Sequence, residues 1–382
     1  MKALVIGCGN IGSVAAEDLA NSQEAIEVTV ADNSEARAKA VADKIGKHKA
    51  SWLQLDVLNR GKLLDILGKF DVVAGFLPGA LGYGLVEACI KAGKDLVDVS
   101  FMAENPLMLD DEATKANVTV VPDCGLAPGI SNLLVGRAVA LLDKVEKVHV
   151  MVGGLPDVNV PPLGYVVTWS PESLVDEYVR KARIVRDGRI VEVEALSGVE
   201  EADFPKVGRL EAFYTDGLRT LIHTVGGVEE MWEKTLRYPG HAEKIKLLKS
   251  LGFFEDKEVD VEGTLVSPRK LTAKLLGAKL WSPEARDLVV LKVEVIGFKG
   301  GRKTGFVYNL LDFYDRRNGV TAMARTTAYP ASIATQLLAK KVLNLKGVVP
   351  LEKIGVDEVL FETFMRELGK RGVSVTEEKV AF

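Results

Sequence analysis

The chain has 382 residues, of which 47% are hydrophobic and 27% charged, with a net charge of −4. That length predicts two domains around a large core, and the composition excludes a disordered chain. The slight acidity excludes the basic field that a nucleic-acid or anionic-membrane binder needs.

Three dispersed cysteines, Cys8, Cys89 and Cys124, offer neither a disulfide framework nor a metal-ligand spacing, so no metal and a reducing, cytoplasmic setting are expected. No leader sequence and no membrane span are expected, because strand character begins at residue 2 and no apolar run is long enough to cross a bilayer. Three glutamines against 49 Lys+Arg and 53 Asp+Glu is a bias in the direction of a heat-adapted, thermophilic protein.

In chain order, "KALVIG", "EVTVAD", "SWLQLD", "DVVAGFL", "DLVDVS" and "VTVVPD" read as strands, with helices such as "SEARAKAVADKIG" and "GYGLVEACIKAG" between them. This alternation predicts an α/β domain over residues 1–122, a doubly wound parallel sheet covered on both faces. After Asp123 the pattern changes. "VEKVHVMVGG" is a strand, "RIVRDGRIVEVEAL" a hairpin turning at Asp187-Gly188, and a long hairpin follows with its turn at Gly300-Gly301. "VTAMA" is expected to add a further strand. Residues 123–325 are therefore expected to form a second, α+β domain with a largely antiparallel mixed sheet. Residues 326–382, with "TTAYPASIATQLLAKKVL" and "VDEVLFETFMRELGKRG", are expected to be helices that pack back on the first domain.

The stretch "LVIGCGNIG" carries Gly7-x-Gly9-x-x-Gly12 directly after a strand and into a helix. Gly7 permits a tight turn, Gly9 lets a pyrophosphate approach the backbone, and Gly12 lets helix and strand pack closely. The helix N-terminus adds unpaired N–H groups and partial positive charge. Asp32 ends the second strand, where a carboxylate accepts the ribose hydroxyls and disfavours a 2′-phosphate. NAD is the expected cofactor, a preference that nearby Arg37 weakens slightly. Cys8, Asn10 and Ile11 in the turn, Asn33 beside Asp32, and Asp56 after the third strand complete the expected adenosine side. Ligands of an open parallel sheet sit outside the carboxyl ends of its strands, so Phe76, Leu77, Pro78 and Ser100 are expected near the nicotinamide.

The same rule singles out Asp98 and Asp123. Two carboxylates at one rim can hold an amine or take its proton. A helix-capping role fits Asp98 equally well and Asp123 less well. "PDCGLAPGISNLL" surrounds Asp123 with prolines and glycines, a rigid turn at the handover between the domains. In "KTLRYPGHAEKIKLL", His241 opens an amphipathic helix, where the helix N-terminus favours the neutral, proton-accepting form; capping is the equal alternative. Arg237 can clamp a carboxylate bidentately. His149, in an apolar strand, reads as a core residue.

Together "VIGCGNIG", "VVPDCGLAPGISNLLVG", "VGGLPDVNVPPLGY", "LEAFYTDGLRTL", "KTLRYPGHAEKIKLL" and "VTAMARTTAY" span nearly the whole chain, and in them it resembles the saccharopine dehydrogenase-like family. The resemblance implies a Rossmann domain plus an α+β domain closing over a small amino-acid substrate. It further implies oxidative deamination of L-lysine at the ε-amine, giving the 6-semialdehyde (which cyclises to a piperideine carboxylate), ammonia and NADH. On that reading Asp123 or His241 is the base, and Asp98, Tyr214, Thr215 and Arg237 hold the substrate. The nearer alternative is a saccharopine or carboxynorspermidine enzyme acting on a secondary amine, which needs extra arginines such as Arg209, Arg219 or Arg325. A silent NAD-binding sensor is the alternative of another class. A homodimer is the default assembly.

Overall fold

The computed structural model describes residues 1–22, 27–46, 48–282 and 286–381. The chain forms two compact units. The first takes Met1–Leu141, Arg219–Thr224 and Ala324–Ser374; the second takes Leu142–Leu218, Val225–Met323 and Val375–Phe382.

The first unit is built on strands β1 (Lys2–Ile6), β2 (Glu27–Asp32), β3 (Ala50–Gln54), β4 (Val72–Gly75), β5 (Asp95–Asp98) and β6 (Thr119–Val121). They pair in parallel in the order β3-β2-β1-β4-β5-β6, as expected of a doubly wound sheet, and a short strand, Gly347–Val348, extends the sheet beyond β6. β1 lies centrally, with Ala3 opposite Val28 on one side and Val72 on the other. Crossovers leave β1 in opposite directions, which opens a crevice at the carboxyl ends of β1 and β4. Leu4, Ile6, Val73, Leu96 and Val120 are fully buried, as strands covered on both faces must be.

The division between the units follows close packing rather than the turn at residue 123. Helix Ile130–Leu141 stays in the first unit, lying against helix Leu351–Val356. A Cβ at Gly136 would fall 2.1 Å from the Glu352 carbonyl oxygen, and one at Gly355 would fall 2.1 Å from that of Leu133. Only glycines allow this approach, and they bind the C-terminal segment to the first unit. Asp18 reinforces the tie by accepting from Arg371 at 2.9 Å and from Ser332 at 2.5 Å. The final strand, Val375–Ala381, instead pairs with Arg302–Phe313 in the second unit.

The second unit holds β7 (Lys144–Pro156), β8 (Ala182–Arg186), β9 (Arg189–Val193), β10 (Glu200–Phe204), β11 (Gly208–Tyr214) and β12 (Glu230–Arg237), then Asp287–Lys299 and Arg302–Phe313. The sheet is mixed: β12 and β7 are parallel, and the other described pairings are antiparallel. The hairpins turn where expected, at Asp187-Gly188 (φ 51° and 72°) and Gly300-Gly301 (φ 57° and 75°). Two successive left-handed residues match the strand twist. Helices Pro171–Val179, His241–Ser250 and Pro268–Leu280 cover one face around Tyr178, Phe213 and Ile245.

"VTAMA" is not a strand. Helix Ala322–Ala339 begins within it, because the Asp287 carboxylate accepts from the N–H groups of Ala322 (2.7 Å) and Met323 (2.9 Å) and so caps the helix. Among the described residues no helix is long and apolar enough to cross a membrane.

Candidate cofactor and catalytic site

β1 runs directly into the glycine turn. Gly7 adopts φ +102°, and a Cβ there would fall 2.3 Å from the Phe76 carbonyl oxygen; a Cβ on Gly12 would fall 1.9 Å from that of Gly7. Both glycines are needed for packing. Gly9 differs, because a Cβ there would meet nothing within 4 Å. Its freedom serves no internal packing, and it stands at the N-cap of helix Asn10–Ala20 without a side-chain cap of its own. The space and donors in front of Gly9 fit a pyrophosphate.

Asp32 is buried at the end of β2. One carboxylate oxygen accepts from the Cys8 N–H at 2.9 Å, the other from the Ser34 N–H at 2.8 Å and from Arg37 at 3.0 Å. Arg37 also donates to the Asn33 side-chain oxygen at 3.0 Å. Asn10 and Pro78 are exposed, Ile11, Phe76 and Leu77 half-buried, and Asp56 exposed beside β3.

At the same rim, Asp98 ends β5 with no exposed surface. One carboxyl oxygen accepts from the Ser100 N–H (2.8 Å) and hydroxyl, while the other is buried with no hydrogen-bond partner. That second oxygen lies 2.4 Å from where a Gly75 Cβ would fall, so only glycine fits beside it. Burial pushes the Asp98 carboxyl up to about 7, opposed by the Ser100 hydrogen bonds. Ser100, expected beside the nicotinamide, is buried as the partner of Asp98.

Asp123 has φ 52°, a conformation that non-glycine residues rarely adopt. Its carboxylate oxygens lie 3.2 and 3.3 Å from Nε of Arg219, itself at φ 53°, and both side chains are buried. The guanidinium lies over Phe101 and donates to the Glu104 carbonyl at 3.4 Å. Behind the turn, Asn132 accepts from the Gly129 N–H (3.1 Å) and donates to Glu352 (3.0 Å). Burial raises the Glu352 carboxyl above its ordinary range. Arg219, expected only as an extra arginine for a secondary-amine substrate, is the partner of Asp123, and Asn132 and Glu352 join the site without any local sequence signal. The motif "TDGLRTL" was the available signal for Arg219.

The second unit holds the other expected site residues. His241 opens its helix but is enclosed. Nδ1 lies 2.8 Å from the Leu163 carbonyl oxygen, which can only accept, so Nδ1 carries the proton and Nε2 accepts from the Tyr178 hydroxyl at 2.8 Å. Burial, then Arg237, lowers its pKa from 6.5 to about 3. The imidazole is neutral, as expected, yet both nitrogens are engaged, and this corrects its reading as an acid–base group. Arg237 is likewise interior. Its guanidinium donates through Nη2 to Glu177 at 3.1 and 3.3 Å and through Nη1 to the Leu236 carbonyl at 2.9 Å, and stacks on Tyr165, 4.5 Å from the ring centroid. Only Nε is without a partner among the described residues, and the group is buried, not open as a substrate clamp.

Thr215 lies buried between Glu233 (2.5 Å) and Thr235 (2.8 Å), and burial pushes the Glu233 carboxyl up to about 8. Tyr214 alone of the expected substrate residues faces open space, in the wall of a cleft of about 430 Å³ lined also by Lys147, Arg186, Glu230 and Trp232. His149 is not in the core. It stacks on Trp232, with ring centroids 4.2 Å apart, and is half-buried on the outer sheet face. Among the described residues no cluster of three metal-ligating side chains occurs.

Residues 3–121 match the saccharopine dehydrogenase NADP binding domain, and residues 125–373 match the saccharopine dehydrogenase C-terminal domain. The chain belongs to the saccharopine dehydrogenase family. The saccharopine dehydrogenase (NADP(+), L-glutamate-forming) of Saccharomyces cerevisiae is 29% identical over 300 residues, 75% of this chain and 65% of the relative. The carboxyaminopropylagmatine dehydrogenase of Synechocystis is 22% identical over 397 residues, 97% of this chain and 96% of the relative. The fold is that of apo saccharopine dehydrogenase (L-Glu forming) from Saccharomyces cerevisiae, with a TM-score of 0.81 at 23% identity and 100% of both chains covered.

The glycine turn Gly7–Gly12 lies within the residues that match the NADP binding domain. The chain spans 65% of the length of its Saccharomyces relative.

Proposed function

We propose that this chain catalyses the oxidative deamination of L-lysine at its ε-amine, the activity of a lysine 6-dehydrogenase, with NAD as the hydride acceptor. The observation that carries this reading is the group Asp98, Asp123 and Arg219 at the carboxyl rim of the sheet that also bears the dinucleotide cradle. Two neighbouring carboxyl groups, one of them paired with a cation, suit a substrate that arrives as an ammonium and must lose a proton.

Bound NAD supplies the acceptor for the hydride from C6. Once substrate opens its buried pair with Arg219, Asp123 takes the proton from the ε-ammonium, and the amine lone pair then drives hydride departure, leaving an iminium. Asp123 next helps water add to that carbon and returns a proton to the departing nitrogen. Asp98, whose buried carboxyl is raised to about 7, is proposed to buffer that proton. The sum is RCH2NH3+ + NAD+ + H2O → RCHO + NH4+ + NADH + H+.

A saccharopine-type substrate brings additional carboxylates, which need arginines. Arg219 is engaged by Asp123, Arg209 pairs with Glu201 at 3.3 Å on the surface, and Arg325 donates to the Arg371 carbonyl at 3.2 Å. Their engagement favours the smaller primary amine. Asp32 at the ribose position favours NAD, although the matching domain is described as NADP binding. Two copies of the chain are proposed to form the working assembly.

The test is NADH formation with lysine, saccharopine, ornithine and simple diamines, each with NAD and with NADP. Turnover of saccharopine above that of lysine overturns the substrate assignment, and no turnover with any amine overturns the enzyme reading.

A further inference from the structure

Between residues 247 and 281 the second unit turns nine large apolar side chains outward: Leu247, Leu251, Phe253, Val259, Val261, Leu265, Leu271, Leu275 and Trp281, each between 41% and 65% exposed. Leu247 lies on helix His241–Ser250 and Leu251 caps its C-terminal end one turn later, and Leu271 and Leu275 stand one turn apart on helix Pro268–Leu280. Between the helices, Val259–Val261 and Thr264–Val266 form a two-stranded hairpin that joins neither large sheet. All its residues are exposed except Val266, which is half-buried. An isolated hairpin of that size is marginal in water.

The segment is tied together. The Phe253 carbonyl accepts from Thr272 at 2.8 Å, the Glu255 carbonyl accepts from the Arg269 N–H at 3.2 Å, and Arg269 donates to Asp256 at 3.0 Å. The nine side chains together expose on the order of 900 Å², about the share one partner gives to a standard interface.

Charge indicates the partner. The hairpin arm, residues 255–263, carries five acidic residues and one lysine; helix Pro268–Leu280 carries no acidic residue and four basic ones, of which Arg269 is paired with Asp256 and Asp176 of its own chain, leaving Lys270, Lys274 and Lys279 to face a partner. One chain therefore holds both halves of a complementary pair. A two-fold axis demands this self-complementarity, with each arm seated on the other copy's helices. We propose that this face is where a second copy of the chain docks, by reciprocal exchange of the acidic hairpin arms onto the leucine and lysine faces of the helices. The inference rests on the dimer proposed above and gives it a surface.

The experiment uses two charge-reversed full-length chains, one with Glu258→Lys, Asp260→Lys and Glu262→Lys, the other with Lys270→Glu, Lys274→Glu and Lys279→Glu. In sedimentation analysis the unaltered chain should be a dimer. Each reversed chain should dissociate, its Kd raised about 100-fold or more by like charges facing one another. An equimolar mixture of the two should recover the dimer, because each reversed arm then meets a reversed helix. Reversed chains that remain dimers on their own, or a folded pair that does not recover on mixing, overturn this surface and leave the dimer itself standing. A monomeric unaltered chain overturns both. If a reversed chain does not fold, Leu251→Ser with Leu275→Ser serves instead: a weakened dimer supports the surface, an unchanged one overturns it.

Discussion

Replacing His241 by Gln separates a buried structural imidazole from an acid–base group. In the folded protein the ring titrates at about 3 instead of 6.5 because it is buried beside Arg237. A histidine whose folded pKa is depressed contributes stability that is complete above its unfolded pKa and is lost as pH falls through 6.5 toward 3. At about 1.4 kcal/mol per pH unit, the whole span from 6.5 to about 3 is on the order of 5 kcal/mol. Between pH 6.5 and 4.5 the unaltered protein should lose roughly 2.5 kcal/mol through this group alone. The glutamine protein lacks that loss but gives up well-made hydrogen bonds to Leu163 and Tyr178, worth about 1–3 kcal/mol at pH 7.5. Its stability deficit should therefore be clear at pH 7.5 and shrink or reverse at pH 4.5. Urea unfolding followed by tryptophan fluorescence reports on this unit, which holds Trp169, Trp232 and Trp281. The pH dependence of kcat/KM should keep its shape in the folded variant. A deficit independent of pH, or a folded variant that loses its acidic kinetic limb together with more than about 100-fold in rate, refutes the structural assignment.

Asp123→Asn should lower kcat roughly 100- to 10,000-fold while the dinucleotide still binds, as measured by steady-state rates and calorimetry; near-normal turnover would make Asp123 a turn-forming residue only. Gly9→Ala should fold with an unchanged thermal midpoint, since its Cβ meets nothing, yet bind NAD at least 10-fold more weakly. Gly12→Ala, by contrast, should lower the midpoint because of the clash with the Gly7 carbonyl. Asp32→Ala should weaken NAD binding by about 1–3 kcal/mol, the effect of unpaired ribose hydroxyls, and narrow the gap to NADP; equal use of both cofactors by the unaltered protein would remove the basis for this expectation.

The amino-acid order alone determined the parallel unit, its glycine turn and the Asp187-Gly188 and Gly300-Gly301 hairpins. These features depend on rules acting over a few residues: β-branched runs, helical spacing, and glycines that accept φ values other residues avoid. It also marked Asp98 and Asp123, because the carboxyl ends of parallel strands lie at one rim. The roles of the charged side chains depended on tertiary structure. Arg219 meets Asp123 across 96 residues of sequence, and Arg237 meets Glu177 across 60. Leu163 and Tyr178 close around an imidazole that local signals place at an open helix end. Helix Ala322–Ala339 starts inside an apparent strand because Asp287, 35 residues earlier, caps it. A polar group's chemistry is set by whichever donors, acceptors and apolar walls surround it, and distant segments supply those only once the chain has folded.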